Sequence, residues 1–184
     1  MGQSETQQPA ETPGRLRVVE TNRLILRRLS ADDGEFILEL LNDPSWLRFI
    51  GDKGVRTLED ARNYIVTGPV DMYARVGFGL YLVERKPDAV PIGICGLIKR
   101  DALEDVDIGF AFLPGFRARG YALEAAAAVM EYAKSAFGLR RLVAITTPEN
   151  EASIRLLEKL GLRFERMMKL AGDSRDVSLF AASL

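Results

Sequence analysis

Apolar positions along the chain recur in two spacings, and the switches between them outline a mixed α/β domain. Leu24 to Leu29 is a dense apolar run and predicts a strand. Ser30 then reads as a helix cap with Asp33 three residues on, and Phe36, Ile37, Leu40 and Leu41 follow at helical spacing until Asp43-Pro44. Thr57 and Asp60 repeat the capping pattern for a second helix to about Val66. Gly77 to Glu84, Pro91 to Ile98 and Val106 to Phe112 predict three successive strands, joined mostly by polar turns such as Lys86-Pro87-Asp88. Tyr121 to Phe137 predicts a helix with Leu123, Ala126, Ala127, Met130 and Phe137 on one face and Gly138 as its stop. Leu142 to Thr147 has the apolar density of a buried strand. Asn150 caps a short helix carrying Ile154, Leu157 and Leu160 that ends at Gly161. Arg163 to Leu170 and Asp176 to Ala182 close the pattern as strands around a Gly172-Asp173-Ser174 turn.

The order β-α-α-β-β-β-α-β-α-β-β predicts an α/β fold with a mixed sheet, antiparallel through its three middle strands. At 184 residues the chain is long enough for one well-packed domain and short for two. Residues 1–15 are polar, with Pro9 and Pro13 and almost nothing to bury, and predict a disordered tail ahead of one domain over 16–184. Met-Gly-x-x-x-Thr at the start matches a myristoylation pattern, but no basic cluster follows to act as a second anchor.

Composition removes several classes of function. The net charge of −1 gives no general attraction to nucleic acid or to an anionic membrane. No apolar run approaches a membrane span, and no hydrophobic signal core opens the chain. A single cysteine, Cys95, excludes an internal disulfide and fits the reducing cytoplasm. It lies within the apolar run Ile92 to Ile98 and reads as a buried small side chain. The chain contains no histidine, so no Ser-His-Asp triad, no Cys-His pair and no typical zinc site is available, and no metal is expected. A general base has to be a carboxylate, a tyrosinate, a lysine, or water ordered by such groups. Neither a Gly-x-Gly-x-x-Gly after the first strand nor a Walker loop is present.

The chemistry-bearing stretch is Arg117-Ala118-Arg119-Gly120-Tyr121-Ala122, between the strand ending at Phe112 and the helix from Tyr121. A glycine loop opening a helix offers free N–H groups and the positive end of a dipole, which together hold phosphate or pyrophosphate. If the strands at Val106 and Leu142 run parallel with the Tyr121 helix as crossover, this loop and Asn150-Glu151-Ala152-Ser153 open at the same carboxyl edge, where ligands of open α/β sheets bind.

These residues resemble the GNAT superfamily of acyl-CoA-dependent N-acyltransferases, and within it the RimJ/RimL-like branch of ribosomal-protein N-terminal acetyltransferases. Three pieces in order carry the resemblance: Glu20 to Arg27, Asp107-Ile108-Gly109-Phe110 through Ala122, and Asn150 to Ser153 through Leu160-Gly161-Leu162. The resemblance implies one GNAT-type domain: a mixed, mostly antiparallel sheet of about seven strands, flanked by about four helices and splayed between its fourth and fifth strands. It implies acetyl-CoA as acyl donor and an amine as acceptor. Backbone N–H groups across Arg117, Ala118, Arg119, Gly120, Tyr121 and Ala122 would bind the pyrophosphate. Phe110, Ala111, Phe112 and Leu113 would pair with the pantetheine arm, as an exposed strand edge pairs with a peptide, and hold the acetyl carbonyl. Asn150 would contact the pantetheine, and Ser153 would lie near the thiol and protonate it. Trp46, Phe49 and Tyr73 fall in segments that would wall the acceptor cleft.

Asp107 is the carboxylate best placed in sequence to act as base, with Glu104, Asp105 and a water-only route as alternatives. A weak base suits a weakly basic amine: at about pH 7.2 roughly one-fifth of an α-amine of pKa near 7.8 is neutral, against under about one in a thousand for a lysine near 10.4. The expected reaction is therefore direct acetyl transfer to an α-amine of a protein N-terminus or a small molecule. Two alternatives stand beside it. One is a small-molecule or antibiotic N-acetyltransferase, for which Asp101, Glu104, Asp105 and Asp107 would supply an acidic cleft for polycations. The other is a non-catalytic acyl-CoA sensor. Monomer and homodimer are both compatible with the sequence.

Overall fold

In the computed structural model of the chain, residues 16–169 and 175–184 are described. The predicted tail and the Gly172-Asp173-Ser174 turn lie outside them. Eight strands form one sheet: β1 (Arg17–Glu20), β2 (Leu24–Arg28), β3 (Leu80–Arg85), β4 (Val90–Ile98), β5 (Asp107–Phe112), β6 (Arg141–Thr146), β7 (Arg163–Lys169) and β8 (Asp176–Ser183). Their order is β1-β2-β3-β4-β5-β6-β8-β7. Every neighbouring pair is antiparallel except β5 and β6. Helices α1 (Gly34–Leu41), α2 (Pro44–Phe49), α3 (Leu58–Ile65) and α4 (Asp71–Val76) precede the middle strands. The long helix α5 (Tyr121–Phe137) crosses from β5 to β6, and α6 (Glu151–Lys159) leads into β7.

The sheet is the middle of three layers. On one face Leu24, Leu26, Tyr81, Val83, Cys95 and Phe112 pack against Ala125, Ala126, Val129 and Ala133 of α5. On the other, Leu82 and Ile94 meet Ile37, Leu40, Trp46, Ala61 and Ile65 of α1 to α3. Close approach in the sheet needs Gly96, since a Cβ there would stand 2.1 Å from the Gly79 carbonyl oxygen.

Four features differ from the sequence expectation. The edge strand β1 is added; it is four residues long, exposed at both ends and half-buried at Val18 and Val19, with little apolar alternation to mark it. Asp43-Pro44 ends α1 as expected but also starts α2: Asp43 accepts hydrogen bonds from the Ser45 and Trp46 N–H groups, and Pro44 takes the first helical position, where no N–H is needed. The helical path of α3 continues through a π-type turn, Val66–Val70, into α4, the wide turn accommodating Pro69 and its missing N–H. The buried stripe of α5 is Tyr121, Ala125, Ala126, Val129 and Ala133, with Ala127 exposed and Leu123, Met130 and Phe137 at the flanks. Small side chains let this helix lie close to the sheet, and the larger ones bracket it.

Candidate active site

Strands β5 and β6 run parallel yet pair at one place, Asp107 opposite Val143, where the Val143 N–H donates to the Val106 carbonyl at 3.0 Å. Beyond that rung the strands part. The Leu113 N–H donates to the Ile92 carbonyl at 3.0 Å, so by strand alternation the amides of Gly109 and Ala111 also face β4, while those of Ile108, Phe110 and Phe112 face the gap. Of the amides expected to face a ligand, Phe110 and Phe112 are open and Ala111 and Leu113 are engaged in the sheet.

The gap opens into a cleft of about 860 Å³. From β5 it is lined by Asp107, Phe110, Ala111 and Phe112; from the loop and α5 by Arg117, Ala118, Gly120, Tyr121 and Ala122; and from the start of α6 by Asn150 and Ser153. Leu113 and Arg119 are not among the lining residues. Trp46 and Phe49 of α2 and Tyr64 of α3 form part of the opposite wall. Tyr73 does not. It is buried, stacked on Tyr81, with its hydroxyl accepting from the Leu29 N–H and donating to the Leu80 carbonyl, so it belongs to the core.

From Ala118 through Leu123 no backbone N–H has a hydrogen-bond partner among the described residues. This run of unpaired donors opens α5, a geometry suited to an anion. Gly120 makes the entry with φ +79°, and a Cβ there would sit 3.3 Å from Arg23 Nη2. Gly120→Ala is expected to cost about 1–2 kcal/mol, the left-handed penalty of an L-residue, read as a lowered denaturation midpoint.

The loop is braced from three directions. Glu124 accepts from the Thr21 hydroxyl at 2.6 Å and from Arg23 Nε at 2.6 Å, and Arg23 Nη1 donates to the Arg119 carbonyl at 3.0 Å. Burial would raise the Glu124 pKa, and the hydrogen bonds from Thr21 and Arg23 outweigh it and lower it. The Arg23 guanidinium also lies 4.5 Å over the Tyr121 ring. Arg117 turns inward: its Nε donates to the Phe112 carbonyl and its Nη2 to Asp43 Oδ1, each at 2.7 Å. Burial would raise the Asp43 pKa, but hydrogen bonds from Ser45 and Arg117 hold it below the usual carboxylate value. Arg119 is exposed, with no side-chain ion pair among the described residues.

Asp107 stands at the apex of the gap, 1% exposed. Its Oδ2 accepts from Arg100 Nε at 2.6 Å, while Oδ1 is buried with no hydrogen-bond partner among the described residues. Burial pushes its pKa up to about 6, opposed by the Arg100 charge and, more weakly, by the nearby Ile145 amide. Tyr64 is also raised by burial, with Arg100 working against it. Asp101, Glu104 and Asp105 do not line the cleft, and Asp105 pairs with Arg141 at 2.8 Å. Among the described residues these turn acids therefore form no acidic cleft for polycations. Asn150 Oδ1 accepts from the Ser153 N–H at 3.2 Å, which makes it the helix cap expected. Cys95 is fully buried and its thiol is pushed up by desolvation. Among the described residues there is no cluster suited to a metal ion and no helix long and apolar enough to cross a membrane.

Sequence reasoning missed Arg100, Thr21 and Arg23 as parts of the site. Arg100 was recoverable in principle: Ile98 lies opposite Asp107 in the β4–β5 hairpin, which brings Arg100 beside the carboxylate.

Residues 23–163 match the acetyltransferase (GNAT) domain family, and the chain belongs to that family. YnaD of Bacillus subtilis (strain 168), named an uncharacterised N-acetyltransferase, is 30% identical over 151 residues, spanning 82% of this chain and 85% of its own. A GNAT-family acetyltransferase from Bacillus anthracis superposes with a TM-score of 0.73 at 26% identity, covering 90% of this chain and 97% of that one. RimL, a ribosomal L7/L12 α-N-protein acetyltransferase solved with coenzyme A, shares the fold with a TM-score of 0.77 at 20% identity, covering 91% of this chain and 98% of its own.

Proposed function

We propose that this enzyme transfers acetyl directly from acetyl-CoA to an α-amine, with Asp107 as general base. The observation that carries the reading is the buried, half-satisfied Asp107 at the point where β5 and β6 part. Acetyl-CoA supplies the activated acyl group. The N–H groups from Ala118 to Leu123 suit its pyrophosphate, and the open edge at Phe110 and Phe112 suits its amide-bearing arm. Asp107 Oδ1 accepts the proton released as the amine nitrogen attacks the carbonyl carbon. The Phe110 N–H faces the region where negative charge gathers on the carbonyl oxygen. The Ser153 hydroxyl donates a proton to the departing thiolate and is reprotonated from solvent.

A base of pKa about 6 favours the α-amine. It lies roughly two units below an α-ammonium near 7.8 and roughly four below a lysine ammonium near 10.4, so proton removal from lysine is far more uphill. The measurement is free-thiol release from acetyl-CoA with N-terminal peptides, free amino acids, polyamines and antibiotics as acceptors. α-Amines are expected to turn over faster than matched ε-amines; the reverse order rejects the α-amine assignment, and binding without turnover on any amine favours a sensor. Ser153→Ala should lower kcat about tenfold, less than the roughly 10²–10⁴ typical of acid–base catalysis, because a thiolate leaves readily.

A further inference from the structure

Among the described residues, the charged side chains lining the cleft are Lys53, Arg100, Arg117, Arg155, Lys159, Arg175 and Asp107; Arg117 is held by Asp43 and Arg155 by Glu151, which lie outside the lining. Arg117 belongs to the donor loop, and Arg155 and Lys159 to α6. Lys53, Arg100 and Arg175 come from three other segments: the loop after α2, the end of β4 and the approach to β8. Arg175 also donates to the Ile50 carbonyl at 3.2 Å, which places it beside α2.

Arg100 is tethered at one end and open at the other. Its Nε is fixed on Asp107, while its two terminal nitrogens have no hydrogen-bond partner among the described residues. Asp107 Oδ1 is also without one. One ion pair thus presents a buried, unpartnered acceptor and solvent-facing donors at the same place in the cleft wall.

Resting on the acetyl-transfer reading above, we propose that the acceptor is a small amine bearing its own anionic group, a carboxylate or phosphate, close to the nitrogen. The amine meets Asp107, and the anion meets the guanidinium of Arg100. An arginine fork binds carboxylate and phosphate by the same geometry. An acceptor without the anion forgoes this charge-assisted pairing and leaves the Arg100 donors to water. The pairing favours a free amino acid or aminophosphonate over a protein N-terminus, because a peptide has a neutral amide where the amino acid has its carboxylate.

The test compares kcat/KM for free α-amino acids, aminoalkylphosphonates, the matched α-amino amides, peptides with free N-termini, and spermidine. The anionic small amines are expected to exceed the amides, peptides and spermidine by about tenfold or more, the scale of one charge-assisted hydrogen bond. Whichever anionic set is faster identifies carboxylate or phosphate. Arg100→Gln is expected to bring the acid-to-amide ratio toward one; poorer folding or a misplaced base would instead slow all amines together and leave the ratio unchanged. Amides, peptides or spermidine equalling the anionic amines, or an Arg100→Gln variant that keeps the wild-type ratio, overturn the inference and leave acetyl transfer standing. No turnover on any amine, with coenzyme A still bound in calorimetry, overturns the acetyl-transfer reading and this inference with it.

Discussion

Asp107→Asn is expected to lower kcat/KM by about 10²–10⁴-fold, the range of a positioned general base, with coenzyme A binding retained. In the wild type the rate should rise with pH through about 6, because Asp107 accepts a proton only once ionised, and burial sets that value against the opposing charge of Arg100. The variant should lack this acidic limb. Its stability should move the other way. The Asp107 pKa is raised above its unfolded value near 3.9, so its stabilising contribution is complete below about pH 4 and is lost as pH rises through about 6. Asparagine removes that loss. The arginine left behind is 36% exposed in its side chain and can reach water, so no isolated buried charge results. Above pH 6 the variant is therefore expected to melt no lower than wild type. An unchanged acidic limb with near-wild-type turnover would move the base to another group or to water.

The second large effect is on folding. Arg27, 4% exposed, donates through Nε to Glu84 Oε1 at 2.7 Å and through Nη2 to Asp33 Oδ1 at 2.7 Å. Nη1 reaches Asp33 Oδ2 at 3.0 Å and the Arg28 carbonyl at 3.1 Å. Burial opposes the charge on Arg27, but the two carboxylates more than restore it and its pKa is raised. Arg27→Ala strands two buried carboxylates and is expected to cost about 3–5 kcal/mol. Urea denaturation should show a lower midpoint with an unchanged slope. Combining Arg27→Met with Asp33→Asn and Glu84→Gln should recover part of the loss, since an uncharged set has no ion to desolvate. If Arg27→Ala melts like wild type, the triad is not holding β2, β3 and the start of α1 together.

The two carboxylate sites show what a linear reading can and cannot reach. Asp33 was legible as a helix-start acid, and it does accept from the Ser30 N–H at 2.8 Å. The greater part of Asp33's hydrogen bonding, however, goes to Arg27, a partner defined by how β2 enters α1. Thr57 and Asp60 form the reciprocal cap as read, because both partners lie within four residues. Asp107 was legible as a carboxylate on the right strand, but its partner depends on the β4–β5 register. The positive charge at Arg117 was evident, whereas its contact with Asp43, 74 residues away, was not. The apolar face of α5 was misjudged because alanines carry little hydrophobic signal, and the larger Leu123 and Met130 drew the stripe toward themselves. The parting of β5 and β6 has no local signature at all. It followed from family resemblance; in the structure β6 pairs along its length with β8 and meets β5 at one rung.

That single rung between β5 and β6 makes the sheet mechanically two plates, β1 to β5 and β6 to β8, riveted at Asp107 and spanned by α5. In the proposed reaction a donor arm lying along the open lips is a temporary strand that completes the ladder. The empty protein is then the more compliant object, and loading the substrate stiffens it across its middle. The residue proposed to take the proton is also the rivet, so the chemistry is placed where the two plates move least against each other.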